Sequence, residues 1–305
     1  MDLILILEQS LNGLQFGLML FLLAAGLTLV FGIMDMINLA HGSLYMIGAF
    51  LAAWLAQMTQ SFWMGMALAI PLTGLVGMVL EYTILRTLYA RDHLSQVLAT
   101  FALILILNES VKMIWGSDLA LSAPRSLSGP VELFPGFMYP SYRLLIIAVG
   151  LLVALLMWFL VTRTKVGAWV RAGASNREMA MAMGLNIQKI FTFVFALGAC
   201  LCAVAGTLLA PLFAVQVGMG EGILILAFVV IVIGGIGSIW GAFVGSIMVG
   251  CVDTLGRSLL PHLLRELFPA QLAASLGPAM ASIMVYLLMI VVLFFRPQGL
   301  FARRA

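Results

Sequence analysis

Charged side chains are scarce in this chain. Lys and Arg number 15 and Asp and Glu number 12 among 305 residues, which is 9% of the sequence, whereas a soluble domain carries about 25%. Hydrophobic residues make up 64%, and the mean hydropathy is +1.17. A soluble fold of this composition would lack the polar groups needed to cover its surface. The composition therefore indicates a polytopic membrane protein and excludes disordered and fibrous proteins.

Several kinds of chemistry are missing as well. Three cysteines and three histidines are too few and too scattered for a disulfide framework, a zinc site or a catalytic triad. We therefore expect no metal and no enzyme activity. The net charge of +3 and the lack of a long basic run argue against binding to nucleic acid. No G-x-x-x-x-G-K-[ST] motif occurs, so the chain cannot bind ATP through a P-loop, and no cofactor is expected.

Long apolar segments are what the sequence does contain. A helix needs about 20 apolar residues to cross a bilayer, and seven segments reach that length: Leu11–Ile33, Leu39–Gln57, Phe62–Leu85, Leu94–Trp115, Tyr142–Val161, Ile190–Phe213 and Ser275–Phe295. Residues 222–255 are too long for one crossing and are interrupted by Gly234, Gly235 and Gly237. We predict an all-α polytopic membrane protein. It forms a single transmembrane domain over residues 1–305, with about eight transmembrane segments including a broken or re-entrant region at 222–255.

The start of the chain does not have the pattern of a cleavable signal peptide. Acids stand at Asp2 and Glu8, and no basic residue precedes the apolar stretch. A secretory signal begins with a positively charged region and ends at a cleavage site of small residues. We therefore expect the first helix to remain in the mature protein.

Basic residues in short loops mark the cytoplasmic side of a membrane protein. Here they form three clusters: Arg86 with Arg91; Arg163, Lys165, Arg171, Arg177 and Lys189; and Arg296, Arg303 and Arg304. If the clusters share one side, the chain crosses the membrane an even number of times between the second and the third. Residues 222–255 then return to their starting side, either as a re-entrant hairpin that turns at Gly234–Ser238 or as two short crossings. This count places the N-terminus outside and the C-terminus in the cytoplasm.

Residues 116–141 form the long loop on the outer side. Four prolines, Pro124, Pro130, Pro135 and Pro140, exclude a long helix there. Loops of this length are uncommon without a role. We consider a cap over a pathway, a docking surface for an external partner and a plain connector as the three alternatives.

Two interruptions between apolar segments resemble each other. The run His41-Gly-Ser-Leu-Tyr-Met-Ile-Gly-Ala-Phe50 is similar to Ile236-Gly-Ser-Ile-Trp-Gly-Ala-Phe243, with a gap of two residues. Interrupted helices at matching positions of a repeat point to a transport pathway near the midplane, although glycine-rich helices also match by chance. The predicted pathway residues are Asn38, His41, Gly42, Ser43, Gly235, Gly237 and Ser238. An ordinary turn is favoured for Asp35, and a helix cap is an equal alternative for His41 and Ser43.

Small residues then continue on one helix face. Gly237, Gly241 and Gly245 are spaced four apart, and Gly250 follows. Glycines at this spacing allow a neighbouring helix to approach backbone to backbone. Packing is the first explanation, and lining of the pathway or contact with a second subunit is the alternative.

The basic loop 163–190 contains a short helix with a start and a stop signal. Ser175-Asn-Arg-Glu178 has the pattern of a capping box, alternating Met and Ala favour a helix, and Gly184 fits the left-handed position that ends one. So short a helix must pack against something. Docking of a partner is favoured over a position on anionic lipid, because small Ala and adaptable Met suit a groove.

Several of these motifs resemble the branched-chain amino-acid ABC importer permeases of the LivH type. The similar runs are Asp35 to Phe50, the glycine ladder, Arg171 to Gly184, and Phe295-Arg-Pro-Gln-Gly-Leu-Phe301, and the resemblance covers essentially the whole chain. It implies a permease of the bacterial inner membrane, a second homologous permease subunit, two cytoplasmic ATPase subunits and a periplasmic substrate-binding protein. It also implies that Ser175, Glu178, Ala180 and Gly184 belong to an ATPase-coupling helix. Glu178, Ala180 and Gly184 match the E-A-A-x-x-x-G pattern of such helices, and Met179 stands where the pattern has its first Ala.

Other functions remain as alternatives. Related permeases carry urea, short amides or other amino acids. An ion-coupled secondary transporter would need an intramembrane acid, for which Glu81, Glu109 and Asp253 are the candidates. Glu109 has Lys112 three residues further on, which makes a local ion pair plausible. A membrane enzyme would need clustered His and acids, which the sequence lacks.

Overall fold

The computed structural model describes residues 3–266 and 269–301. Eight of its helices are long and apolar enough to span a membrane, and residues 219–234 form a shorter apolar helix. The α-helices are α1 Leu3–Met34, α2 His41–Thr59, α3 Phe62–Leu80, α4 Arg86–Leu88, α5 His93–Trp115, α6 Ser141–Arg163, α7 Lys165–Ser175, α8 Arg177–Ala182, α9 Ile187–Leu209, α10 Met219–Gly234, α11 Ile239–Leu264 and α12 Ala270–Phe295. The strands are β1 Asp118–Leu119, β2 Pro130–Phe134, β3 Phe137–Pro140 and β4 Val215–Gln216. The predicted all-α polytopic fold is confirmed.

Helix α1 lies at the centre of the bundle, against α9 and α11. Its side chains from Leu18 to Ala25 are at most 1% exposed, because small residues let its neighbours approach closely. A Cβ atom added to Gly17 would lie 2.8 Å from the carbonyl oxygen of Ser246, and one added to Gly26 would lie 3.0 Å from the Cα atom of Gly198. Close backbone approach of this kind is how apolar helices associate in lipid.

The three basic clusters lie at one end of the bundle, which we call the basic end. Arg86, the first residue of α4, donates a hydrogen bond to the hydroxyl of Thr192 in the second turn of α9. Arg177 contacts the end of α1, and a Cβ atom on Gly32 of α1 would lie 3.0 Å from Gly237. After α12, the N–H groups of Leu300 and Phe301 donate to the last carbonyls of α10. Arg303 and Arg304 lie outside the described residues.

Residues 222–255 form two antiparallel segments joined by a turn. The break predicted at Gly234–Ser238 is confirmed, because α10 ends at Gly234 and α11 begins at Ile239, with positive φ angles at Gly235 and Gly237. Helix α11 has 26 residues, enough to span a membrane, and α10 has 16. Of the two predicted arrangements, two crossings fit this region better than a re-entrant hairpin. Only the helix of the first crossing, α10, is short.

The outer loop contains no α-helix over residues 116–140, as its prolines predict. Strands β2 and β3 form a hairpin, and β1 pairs with β4 beyond the end of α9. The hairpin is fastened to α1 by Tyr139, whose hydroxyl donates to the Asn12 Oδ1 atom over 2.9 Å. Burial raises the pKa of Tyr139 above its ordinary value, so its hydroxyl stays a donor at neutral pH. At the basic end, hydrogen bonds from Ser95 lower the pKa of Asp92, which caps α5.

Candidate functional site

Helix α2 begins inside the bundle rather than at its edge. After α1, Asp35 adopts a positive φ of 51°, and residues 35–38 carry no regular secondary structure before the turn that leads into His41. His41 lies beside Gly26, eight residues before the end of α1, and beside Gly198, eleven residues into α9. At 1.5 Å per residue these positions lie about 12 to 17 Å from the basic end. The first turn of α2 is therefore near the middle of a bilayer about 30 Å thick.

The start of α10 meets the start of α2 at this depth. A Cβ atom on Gly42 would overlap the carbonyl oxygen of Gly220, and one on Gly220 would overlap that of Gly42. The N–H of Gly218 also points to the Met46 sulfur, at 3.3 Å. Two helix N-termini thus lie against each other inside the membrane, and the N-terminal end of a helix favours an anionic ligand group. Interrupted helices of this kind form binding sites in transporters.

The predicted polar residues of the first break are all buried. The Asn38 Oδ1 atom accepts from the N–H of Ala40 over 3.0 Å, while its Nδ2 atom has no partner among the described residues. The His41 Nε2 atom lies 3.1 Å from the Cys202 sulfur, and Ser43 is 4% exposed. In this conformation none of these residues, nor Gly42, lines one of the three cavities described for the chain.

The predicted residues of the second break lie elsewhere, at the basic end. Gly237 and Ser238 line a cavity beside α1, and Ser238 caps α11 by accepting from the N–H of Gly241. Gly299, which follows α12, lies against Gly235: a Cβ atom added to Gly299 would be 2.5 Å from the Cα atom of Gly235. The contacts of the two breaks on α1 are six residues apart, at Gly26 and Gly32, or about 9 Å along the helix. The two predicted sets therefore do not form one site in this conformation.

A polar cavity of about 920 Å³ opens at the end of the bundle opposite the basic end. Its polar wall contains Glu8, Asn12, Gln15, Arg143, Asp253 and Arg257. Its apolar walls are formed by Leu209, Leu212, Ile223 and Leu226. Its floor contains Tyr45 and Met219, which lie at the paired starts of α2 and α10. Arg143 donates to Asn12, and Arg257 pairs with Asp253 at 2.8 Å.

Of this polar wall, only Asp253 was a candidate from the sequence, as an acid for ion coupling. Glu8, Asn12 and Gln15 are spaced by four and three residues, which places them on one helix face. That spacing was a usable signal, but the first segment was predicted to start only at Leu11, whereas α1 starts at Leu3. Arg143 belongs to a different helix and is 131 residues from Asn12 in the sequence. Their contact in space cannot be predicted from a local sequence pattern.

The short helix of the basic loop is present, but its predicted start is wrong. Ser175 is the last residue of α7 rather than a cap. Asn176 caps α8 instead, accepting from the N–H of Met179 over 2.9 Å, because the Asn176 N–H is still held by the last turn of α7. The predicted stop at Gly184 is confirmed by its φ of 85°. The N–H groups of Gly184 and Leu185 donate to Met181 and Ala180, which is a Schellman motif.

Helix α8 is attached to the centre of the bundle through its first residue. The Arg177 Nε and Nη2 atoms donate to the carbonyl oxygen of Ile33 over 3.1 and 2.7 Å, and its guanidinium lies 5.2 Å from the ring centre of Phe191. Ala180 is buried, so it anchors the helix. Glu178, Met179, Met181 and Met183 are exposed on its outer surface.

The three acids considered for ion coupling each have a basic partner. Glu81 is buried and pairs with Arg86 at 3.2 Å, while accepting from Thr192 and Tyr89. Asp253 pairs with Arg257, and the predicted pair of Glu109 with Lys112 is present at 4.0 Å. Among the described residues, no group of three His, Cys, Asp or Glu side chains is placed to hold a metal ion.

Comparison with known proteins gives a consistent result. Residues 9–293 match the family described as "Branched-chain amino acid transport system / permease component". The chain is 30% identical to the high-affinity branched-chain amino acid transport system permease protein BraD of Pseudomonas aeruginosa, over 97% of this chain and 96% of the relative. It is 28% identical to LivH of Escherichia coli (strain K12) over the same shares, and 29% identical to a probable LivH of Methanocaldococcus jannaschii over 78% of this chain and 76% of the relative.

Proposed function

Because the chain belongs to the family of branched-chain amino acid transport permeases, we propose that it carries leucine, isoleucine and valine as one membrane subunit of an ATP-driven importer. A periplasmic protein delivers the substrate, and separate ATPase chains supply the energy. The observation that carries the proposal is the placement of the polar cavity directly over the paired starts of α2 and α10.

The polar cavity has the chemistry of a zwitterion with an aliphatic side chain. Arg143 and Arg257 offer positive charge for a carboxylate, Asp253 and Glu8 offer negative charge for an ammonium group, and leucine and isoleucine side chains form the apolar walls. Ligand sites of this kind combine an apolar lining with a few placed polar groups. At the floor, passage requires α2 and α10 to separate, since Gly42 and Gly220 are in contact.

The exposed surface of α8 is the proposed ATPase contact. Met179, Met181 and Met183 are 60%, 53% and 78% exposed, and flexible methionines adapt to a partner groove. Glu178 and Gly184 flank this surface, and Ala180 holds it against the bundle. Because Arg177 links α8 to Ile33, movement of an ATPase is passed to the end of α1 and from there to the segment that leads to His41.

The outer part of α5 is the proposed contact with a second homologous permease subunit. Glu109 and Lys112 are more than half exposed there, and Asn108 donates to the exposed Glu221 at the start of α10 over 2.8 Å. Charged groups on a lipid-facing surface are costly. A protein partner or a water-filled pathway between two subunits removes that cost.

The proposed ATPase contact on α8 also determines how the chain is oriented in the membrane. The basic end, with the C-terminal segment, faces the cytoplasm of a cell whose inner membrane holds the protein. The opposite end then faces the periplasm. Its hairpin exposes Val131, Phe134 and Met138, an apolar patch suited to the docking of a periplasmic binding protein.

Reconstitution tests the proposal. The tagged chain is purified with its co-purifying subunits, inserted into liposomes with ATP inside, and supplied with the cognate binding protein loaded with radioactive leucine. We expect ATP-dependent uptake that isoleucine and valine compete for and that urea and acetamide leave unchanged. Competition by urea or acetamide alone would reassign the substrate. Uptake by the chain without an ATPase, driven by an ion gradient, would overturn the importer.

A further inference from the structure

A second large cavity lies at the basic end, on the flank formed by α1, α6, α7 and the start of α11. Its volume is about 720 Å³. Phe21 and Leu29 of α1, Leu151 and Leu155 of α6, and Phe243 of α11 line it. This cavity is separate from the polar cavity, which opens at the other end of the bundle, and transport as proposed above gives it no role.

The cavity changes from apolar to polar along its length. Its deepest lining residues, Phe21 and Leu151, lie thirteen and twelve residues before the ends of α1 and α6, or about 18 to 20 Å from the basic end. Thr162, Arg171 and Ser238 line it near the basic end. Half of a bilayer's hydrocarbon core is about 15 Å thick, so the apolar part matches one acyl chain of one leaflet.

The polar rim favours an anion. Arg171 forms no ion pair within the described residues, and none of the described residues lining the cavity is acidic. The first turn of α11, from Ser238 to Trp240, also lines it, and a helix N-terminus attracts negative charge. Further in, Thr28 is 1% exposed and its hydroxyl has no hydrogen-bond partner in the described structure, which leaves a donor for an ester oxygen.

The surroundings of the cavity suit lipid rather than protein. The exposed face of α6 is apolar throughout Leu151, Leu152, Leu155, Leu156 and Phe159, whereas the outer part of α5 exposes Glu109 and Lys112. Trp158 and Trp240 are 44% and 57% exposed near the basic end, and tryptophan is enriched at the level of lipid headgroups.

We propose that this cavity binds an anionic phospholipid from the leaflet at the basic end. The phosphate lies between Arg171 and the first turn of α11, and one acyl chain follows α1 and α6 towards Phe21. Basic pockets between membrane helices recognise lipid headgroups in this way. The lipid would fasten α7 to α6 and α11, and so set the position from which α8 begins.

The test measures lipid retention by native mass spectrometry of the intact complex. The delipidated complex is incubated with equal amounts of phosphatidylglycerol and phosphatidylcholine that have identical acyl chains. We expect the wild-type protein to retain phosphatidylglycerol, and Arg171→Gln to weaken that preference about fivefold, since one basic residue near a membrane surface contributes about 1 kcal/mol. Arg163→Gln is the matched control, because Arg163 is an exposed arginine of the same loop that does not line the cavity.

A second variant tests the acyl-chain part of the proposal. Ala154→Phe adds a ring inside the cavity, so we expect it to reduce retention of both lipids. Equal lipid preference in Arg171→Gln and Arg163→Gln would overturn the proposal. A photoreactive residue at Trp240 that crosslinks to the second permease subunit instead of lipid would do so too. Neither measurement requires transport, so failure of the importer proposal leaves this test intact.

Discussion

Arg177 in the first turn of α8 holds the carbonyl oxygen of Ile33 in the last turn of α1 with two hydrogen bonds, of 3.1 and 2.7 Å. A peripheral helix of six residues is thereby attached to the most deeply buried helix of the bundle. The bond spans 144 residues of sequence. It connects the surface proposed for the ATPase directly to the end of α1, just before the interruption that leads to His41.

Replacing Arg177 with Gln removes this attachment while the exposed methionines of α8 remain. Hydrogen bonds from charged groups contribute about 1.5–3 kcal/mol, so we expect uptake in proteoliposomes to fall about tenfold or more with unchanged ATPase co-purification. Lys189→Gln is the control, since it removes one exposed positive charge from the same loop. Equal uptake in the two variants would contradict a coupling role for Arg177.

The contact between Gly42 and Gly220 allows a sharp test of the paired helix starts. Gly220→Ala places a methyl group against the Gly42 carbonyl, whereas Gly222→Ala, one half-turn on in the same helix, meets nothing within 4 Å. Overpacking of a tight contact costs about 1–3 kcal/mol. We expect Gly220→Ala alone to lower the melting temperature of the purified complex and to reduce uptake. If both variants behave like the wild type, the two helix starts are not in close contact.

Arg143 is predicted to contribute to substrate entry. Arg143→Gln keeps an amide that can still bond Asn12 but removes the charge available to a carboxylate. We expect the substrate concentration at half-maximal uptake to rise about tenfold while complex assembly is unchanged, because a charged hydrogen bond contributes about 1.5–3 kcal/mol. Arg125→Gln, on the exposed part of the outer loop, serves as the control. An equal effect in both variants would indicate a general loss of surface charge.

Tyr139→Phe removes the bond that fastens the outer hairpin to Asn12. A buried hydrogen bond contributes about 1 kcal/mol, so the melting temperature should fall by a few degrees. The fold raises the pKa of the Tyr139 hydroxyl, so this stabilisation is complete below the tyrosine's ordinary pKa and is lost as the pH rises through the raised value. The difference between wild type and variant should therefore be constant from pH 6 to 9. A difference that grows or disappears within that range would contradict the assignment.

The membrane segments were predictable because the bilayer fixes the length of an apolar helix. Gly184 was predictable as well, since a left-handed residue after a run of helix formers has few other uses. The start of α8 was not, because Ser175 and Asn176 are both good caps and the choice depends on where α7 ends. The depth of His41 depends on the path of residues 35–40, and the approach of Arg143 to Asn12 on the packing of α6 against α1. Local sequence patterns determine neither the path of residues 35–40 nor the packing of these two helices.

Glu81 is a fully buried acid near the basic end of the bundle. Its carboxylate is enclosed by Arg86, Tyr89 and Thr192, which come from two separate stretches of the chain. Loss of Arg86 leaves the buried Glu81 carboxylate without a counter-charge, and loss of Tyr89 or Thr192 removes one of its hydrogen-bond donors. Joint replacement by apolar residues of similar volume is tolerated better. Among relatives of this protein, positions 81, 86, 89 and 192 should therefore change together. A chimera that exchanges residues 62–89 with a relative lacking the acid should be more stable when position 192 is exchanged with them, as its melting temperature would show.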